Sequence, residues 1–352
     1  MRKIDDEIQA LLSEHRGDIR SILKDNHRLD LLYALSSQRE LLLEWYDFEP
    51  EAEVLQVGAD YGALTGLLRS SVSAVTVLDE TESALETVRQ RYPGAANIYY
   101  RKDSLAGYAA EACAEGKKYD YVIFAGTLTA PYEKHIHAAK SLLKPDGILI
   151  VALANALGMK YFAGTVEEEN ALTKRQLAEL LCGDKETQSM ADESGTLKFY
   201  YPMPDYKTPV SIYSDAYLPK KGDLTRVTPA YDYPPYHLME QGEKFDTVCE
   251  AGLFDLYANS YLVFWSADPK QLQKDDERIF IKYNKTRREE FQIKTCICER
   301  NVIGAAGASG AAGADATGNS AAGKKERYVE KAVLSLDGSA HIASFKEKYE
   351  KL

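Results

Sequence analysis

Cysteine is scarce in this sequence: 352 residues contain five, Cys113, Cys182, Cys249, Cys296 and Cys298. An odd number scattered over a long chain excludes a dense disulfide framework and supplies no pair of CxxC zinc ligands, so reduced thiols, an intracellular setting and no metal are expected. Long hydrophobic runs are missing too. No apolar stretch approaches the ~18–20 residues of a membrane span. Met1-Arg2-Lys3-Ile4-Asp5-Asp6 lacks the apolar core of a secretory signal, and a soluble, cytoplasmic protein is the expectation. Positive charge is outnumbered, with 43 Lys and Arg against 54 Asp and Glu and a formal net of −11. That balance argues against nucleic acid or an acidic bilayer as a partner and favours small molecules or neutral polymers.

What is present suffices for a large core: 45% of the residues are hydrophobic, and the length suggests two domains or one large domain with an appendage. Residues 1–48 read as helices. Ile4, Ile8, Leu11 and Leu12 form one apolar stripe, and Ile19, Ile22 and Leu23 continue such a pattern after Gly17. Ser37-Gln38-Arg39-Glu40 matches a capping box ahead of Leu41-Leu42-Leu43. This segment is expected to pack as a cap on the domain that follows.

From Ala52 to about Leu153 short apolar runs alternate with helical stretches. Val54-Leu55-Gln56-Val57, Ala74-Val75-Thr76-Val77-Leu78, Ile98-Tyr99-Tyr100, Tyr121-Val122-Ile123-Phe124 and Ile148-Leu149-Ile150-Val151 are five candidate strands. Near-continuous apolar strands alternating with helices predict a parallel sheet covered on both faces, a doubly wound α/β fold. Residues 155–258 are broken by seven prolines between Pro202 and Pro235 and read as an elaborated insertion, flanked by strand-like 198–201 and 260–265. At 301–323, nine alanines and six glycines fill 15 of 23 positions, which predicts a flexible linker. Strand-like runs at 278–283, 291–296 and 328–333 and a terminal helix at 340–352 suggest a small α+β module over 270–352. The expected divisions are therefore 1–48, 49–266 and 270–352.

The first strand runs into Gly58-Ala59-Asp60-Tyr61-Gly62-Ala63-Leu64-Thr65-Gly66, a glycine turn leading into a helix. Such a turn brings backbone N–H groups close to an anionic or polar ligand. A dinucleotide fingerprint would want glycine at 58, 60 and about 63, yet Asp60 and Ala63 stand there, which disfavours hydride chemistry. Asp79 ends the second strand, Asp103-Ser104 follows the third, Ala125-Gly126 ends the fourth, and Leu142-Leu143-Lys144-Pro145-Asp146-Gly147-Ile148 turns into the fifth.

With these residues the chain resembles the class I S-adenosylmethionine (SAM) dependent methyltransferases over about 50–153, and through to 265. Narrower likenesses extend this at Leu35-Ser36-Ser37-Gln38-Arg39-Glu40, Gly62-Ala63-Leu64-Thr65-Gly66, Asn155-Ala156-Leu157-Gly158-Met159-Lys160-Tyr161-Phe162-Ala163-Gly164 and Phe199-Tyr200-Tyr201-Pro202-Met203-Pro204-Asp205-Tyr206-Lys207. They resemble methyltransferase modules of bacterial cell-surface polysaccharide biosynthesis proteins. The resemblance implies a Rossmann-like methyltransferase sheet, SAM as cofactor, a small-molecule or glycan-precursor acceptor, and association with polysaccharide biosynthesis proteins. By position, Gly58 and Gly62 would admit the methionine part, Asp79 would hold the ribose hydroxyls, Asp103 and Ser104 would face the adenine, and Ala125 and Gly126 would line the methyl-transfer mouth.

Two residues depart from the family pattern: Gln56 where an acid is usual, and Asp60 where glycine is usual. Asp60 would either oppose the cofactor's carboxylate, meet its ammonium group, or turn away in a left-handed backbone that Asp tolerates. Methyl transfer needs alignment of nucleophile and methyl group more than covalent help, and a general base assists when an alcohol is the acceptor. His135, with His137 beside it, and Asp205 are the candidates. Tyr161, Tyr201, Tyr206 and Lys207 are the candidate substrate contacts, because tyrosine pairs an apolar face with a polar handle. The alternative is a noncatalytic binding or assembly module with a degenerate cofactor site.

Overall fold

In a computed structural model of the chain, the five apolar runs become strands β1 (Glu53–Val57), β2 (Ala74–Asp79), β3 (Ile98–Lys102), β4 (Tyr119–Ala125) and β5 (Leu143–Ala154). The structure describes residues 3–183, 195–225, 238–273, 276–284, 291–302 and 324–334. Each of these strands pairs in parallel with its neighbours, in the order β3-β2-β1-β4-β5. The strand order reverses at β1, which lies between β2 and β4. Parallel pairing needs crossovers, and four helices supply them: α4 (Thr65–Ser71), α5 (Glu82–Arg91), α6 (Leu105–Ala114) and α7 (Tyr132–Ser141). Val54, Leu55, Val75, Val77, Val122 and Ile123 are fully buried, as strands covered on both faces require.

The sheet continues past β5 with antiparallel strands. β8 (Ser260–Ser266) pairs with β5, and β6 (Thr196–Met203) pairs with β8. β7 (Ser211–Ser214) follows β6, and β9 (Asp276–Asn284), β10 (Ile293–Val302) and β11 (Lys324–Val333) extend the same sheet through the β7–β9 pairing. The complete order is β11-β10-β9-β7-β6-β8-β5-β4-β1-β2-β3. Asn301 and Val302 end β10, while 303–323, the 340–352 helix, the basic run 285–288, and Tyr231, Tyr233 and Tyr236 lie outside the described residues.

Helices α1 (Lys3–Glu14), α2 (Ile19–Asp25) and α3 (Leu29–Leu35) form the N-terminal segment around a small core of Ile8, Leu12, Ile22, Leu31 and Leu35. Each such side chain contributes about 2 kcal/mol on burial. The segment is fastened to the glycine turn: the Tyr61 hydroxyl donates to Asp5 at 2.7 Å, and the Arg91 guanidinium donates to the carbonyls of Ala34, Leu35 and Tyr61. The capping box expected at 37–40 is not formed. Ser36 caps a short 3-10 turn over Ser37–Leu42 by accepting from the Gln38 N–H, and Glu40 is buried against Gly66. The tighter 3-10 winding shifts the cap by one residue and turns Glu40 inward.

Insertion helices α8 (Met159–Phe162), α9 (Lys174–Cys182), α10 (Gln241–Glu250) and α11 (Phe254–Tyr257) pack about the β5–β8–β6 part of the sheet. No described helix is long and apolar enough to cross a membrane. Among the described residues the five cysteines form no disulfide. Burial pushes Cys296 up to about 11 and Cys298 up to about 12, so neither presents appreciable thiolate at pH 8, whereas Cys113 is exposed. Iodoacetamide at pH 8 is expected to label Cys113 well before either, as read by peptide mass spectrometry.

Candidate active site

β1 ends one residue before Gly58, and the turn that follows is wound left-handed at four places: Gly58 (φ +85°), Asp60 (φ +40°), Tyr61 (φ +54°) and Gly62 (φ +73°). Two of these are not glycine, and such positions cost on the order of 1 kcal/mol or more each. They persist because the turn is braced from below. The Gln56 amide donates to the carbonyls of Gly58 (3.1 Å) and Ala59 (3.3 Å), and its oxygen accepts from the Thr65 hydroxyl at 2.8 Å. Gln56 is thus a buried strut, using both ends of an amide where a carboxylate could only accept.

Asp79, at the end of β2, faces the turn. One carboxylate oxygen accepts from the Ala59 N–H at 2.9 Å, and the other accepts from the N–H and hydroxyl of Thr81. Asp103 is tied to the same strand end through its N–H to the Asp79 carbonyl (3.1 Å), and its carboxylate accepts from the Ser104 N–H. Ser104 caps α6 by accepting from the Gly107 N–H. The structure therefore brings Gln56, Gly58, Asp60, Gly62, Asp79 and Asp103 to one end of the sheet, with Ser104 at the adjoining helix start.

Asp60 turns to Arg39. The two form a salt bridge in which Arg39 is almost completely buried, and Arg39 also reaches toward the Ala125 carbonyl (3.4 Å) and lies 5.7 Å from the centre of the Tyr206 ring. The Nε–H of Arg39 has no hydrogen-bond partner among the described residues. A buried, unpaired guanidinium N–H is costly, and it marks a place where one more acceptor fits. The residues after β4 close the other side. Thr127 donates from its hydroxyl to the Val57 carbonyl and covers Gly58 so closely that a Cβ at 58 would lie 2.5 Å from it. Gly126 (φ +80°) is covered by Tyr206, whose hydroxyl would lie 2.6 Å from a Cβ there.

Around Tyr206 lies a network of charge. The ammonium of Lys160, a residue 2% exposed, contacts Asp205 (2.7 Å) and Glu168 (2.8 Å). Lys207 contacts Glu168 at 3.0 Å, the Tyr206 hydroxyl donates to Glu168 at 3.2 Å, and the Glu168 N–H donates to the Tyr161 oxygen. Asp205, Tyr206, Lys207 and Tyr161 are thus brought together. Tyr201 is not: it stands one residue along from Tyr200 on β6, so it faces the opposite side of the sheet, bonded to Asp215 and Lys174. His135 stands apart on α7, its ring donating to the Thr129 carbonyl at 2.8 Å. Glu168, Lys160 and Arg39, central here, are absent from the predicted site. Glu168 sits in the run Glu167-Glu168-Glu169, which reads as a solvated face.

Burial alone would raise the Glu168 carboxyl, but the Lys160 ammonium and then that of Lys207 outweigh it and hold the group down to about 2. A folded value below the unfolded one means that the unfolded chain binds more protons in acid. The stabilisation, roughly 3 kcal/mol, is present above the unfolded value and is lost as pH falls from about 4.5 toward 2. Urea unfolding at pH 6 and pH 3 is expected to show this loss, and Glu168→Gln is expected to flatten it.

Two clefts on the described surface involve none of the turn residues: one is lined by Trp45, Tyr200 and Phe264, the other lies between α6 and α7. The turn itself is closed by the chain's own Arg39, Thr127 and Tyr206.

No family model matches the chain, and no curated protein matches it. Among solved structures, a phosphoethanolamine N-methyltransferase of Haemonchus contortus in complex with phosphoethanolamine and S-adenosylhomocysteine is similar over 74% of this chain and 48% of its own, at 13% identity and a TM-score of 0.41. The N-methyltransferase NodS of Bradyrhizobium japonicum in complex with S-adenosyl-L-homocysteine is similar over 41% of this chain and 71% of its own (19% identity, TM-score 0.30). A precorrin 8W decarboxylase of Methanobacterium thermoautotrophicum is similar over 48% of this chain and 77% of its own (17% identity, TM-score 0.35).

Proposed function

We propose that the chain is a SAM-dependent methyltransferase acting on a hydroxyl or other nucleophile of a small molecule or glycan precursor. The observation that carries this reading is the placement of a glycine turn and the Asp79 carboxylate side by side where the strand order reverses at β1, since ligands of open α/β sheets bind beyond the carboxyl ends of the strands at such a point. The residues fit the cofactor. Arg39 offers its unpaired Nε–H to a carboxylate, and Asp79 suits a ribose diol. The cofactor supplies a methyl group on a sulfonium.

In this reading the protein's own task is alignment and exclusion of water. Tyr206 and Thr127 close over Gly126 and Gly58 and are the side chains that yield to a ligand. Tyr161 and Lys207 position the acceptor from the Glu168 side. Asp205 and Glu168 are both engaged by Lys160, which favours a structural part for Asp205 over that of a general base, and His135 stands apart on α7, so no general base is assigned. Association with polysaccharide biosynthesis proteins belongs to this reading as well and rests on the sequence resemblance.

Calorimetric titration with SAM and with its demethylated product tests it. Heat from both in a folded sample is expected, and no heat from either overturns the reading. A second reading, a noncatalytic binding or assembly module, is favoured by the closure of the turn by Thr127 and Tyr206 and by the engagement of Arg39 with Asp60. It predicts weak or absent cofactor binding that Asp60→Gly restores, and no turnover of any acceptor.

A further inference from the structure

An aromatic cluster outside the candidate site surrounds a cavity of about 120 Å³ at the other end of the sheet. Its walls come from the segment preceding β1, the first residues of β6 and β9, the end of β8, and β10–β11. It lies toward the end where the parallel strands begin, whereas the glycine turn lies beyond the end of β1. Trp45, Tyr46, Tyr200 and Phe264 line it and pack on one another: Trp45 meets Tyr200 with ring centres 4.7 Å apart, and Tyr46 stacks on Phe264 at 5.0 Å. Trp45 and Phe264 are held rigidly by burial.

Four carboxylates also line the cavity, Asp47, Asp276, Glu277 and Glu330, against two cations, Lys198 and Arg278. Those cations are already spent: Lys198 pairs with Glu277 at 2.7 Å, and Arg278 pairs with Asp47 at 2.6 Å and with Glu330 at 3.4 Å. The described lining keeps an excess of two negative charges. The Tyr328 hydroxyl donates to Asp276, and the Arg300 guanidinium already lies 5.3 Å from the centre of the Tyr328 ring, so the rings left to a ligand are those of Trp45, Tyr46, Tyr200 and Phe264. An aromatic wall with excess negative charge at its rim attracts a cation twice over, through ring quadrupoles and through charge. An anion would meet net repulsion, and a neutral ligand would gain hydrogen bonds from the rim without the charge attraction.

We propose that this cavity binds an organic cation, the alkylammonium head of a small amine or quaternary ammonium compound. The volume admits several waters' worth of ligand, which suits such a head and excludes a nucleotide. The site is independent of the cofactor reading, so failure of SAM to bind leaves it standing.

The test uses the full chain and radiolabelled choline in equilibrium dialysis, with 3,3-dimethylbutan-1-ol, its neutral isostere, as competitor. Saturable binding near one equivalent that the isostere fails to displace is expected. The double variant Asp47→Asn/Glu330→Gln, at two rim positions that are solvent-accessible, is expected to weaken binding by about tenfold while circular dichroism shows an unchanged fold. Absence of saturable binding to the folded protein overturns the proposal. So does equal displacement by the isostere, or unchanged affinity in the double variant.

Discussion

Lys160→Met is expected to destabilise the protein by about 3–5 kcal/mol, the usual cost of removing one partner from a buried ion pair. Lys160 and Asp205 are both nearly inaccessible to water, and the ammonium also serves Glu168. Its removal leaves Asp205, among the described residues, with the Lys207 N–H as its donor (2.9 Å), while Glu168 keeps Lys207 and the Tyr206 hydroxyl. Methionine fills much the same volume, so the loss reports charge rather than a cavity. Adding Asp205→Asn is expected to restore part of the stability, because a neutral amide is less costly to bury than an unpaired carboxylate. Urea unfolding of the two single variants and the double gives the coupling directly. A loss below about 1 kcal/mol for Lys160→Met, the range of exposed pairs, would show that the network is open to water.

Asp60→Gly is expected to raise affinity for SAM at least tenfold. Two effects act together. Loss of the carboxylate frees the whole Arg39 guanidinium for the ligand's carboxylate. It also removes a like-charge contact worth about 4 kcal/mol at 4 Å and an effective dielectric of 20, an upper limit on the gain. Calorimetry on wild type and variant checks it. Equal affinities would remove the case that Asp60 marks a degenerate site, and a fall would identify Asp60 as the partner of the ligand's ammonium group.

The parallel half of the fold was legible because a strand buried on both faces must be apolar throughout, and β1, β2, β4 and β5 carry that mark. The glycine turn was legible for a different reason: Gly58 and Gly62 take backbone angles that few other residues tolerate. The rest of the site was hidden. Arg39 lies within a motif that reads as a helix cap, Lys160 is a lone cation in an apolar stretch, and Glu168 is the middle of three glutamates. None carries a local signal, since its role comes from partners tens of residues away: Asp60 for Arg39, and Asp205 and Lys207 for Lys160 and Glu168. Tyr201 and Tyr206 looked alike in sequence, yet strand alternation set Tyr201 on one face of the sheet while Tyr206 packs on the other.

The sequence by itself determined the alternation of strand and helix, the left-handed turn after β1 and the Asp79 carboxylate at the end of β2, because each follows from the conformational limits or hydrophobicity of consecutive residues. Only the tertiary structure decided where Asp60 points, which carboxylate meets Lys160, and that β9–β11 extend the sheet through β7. Those outcomes depend on which side chains become buried together, and a charge taken from water accepts whatever opposite charge the fold brings within reach.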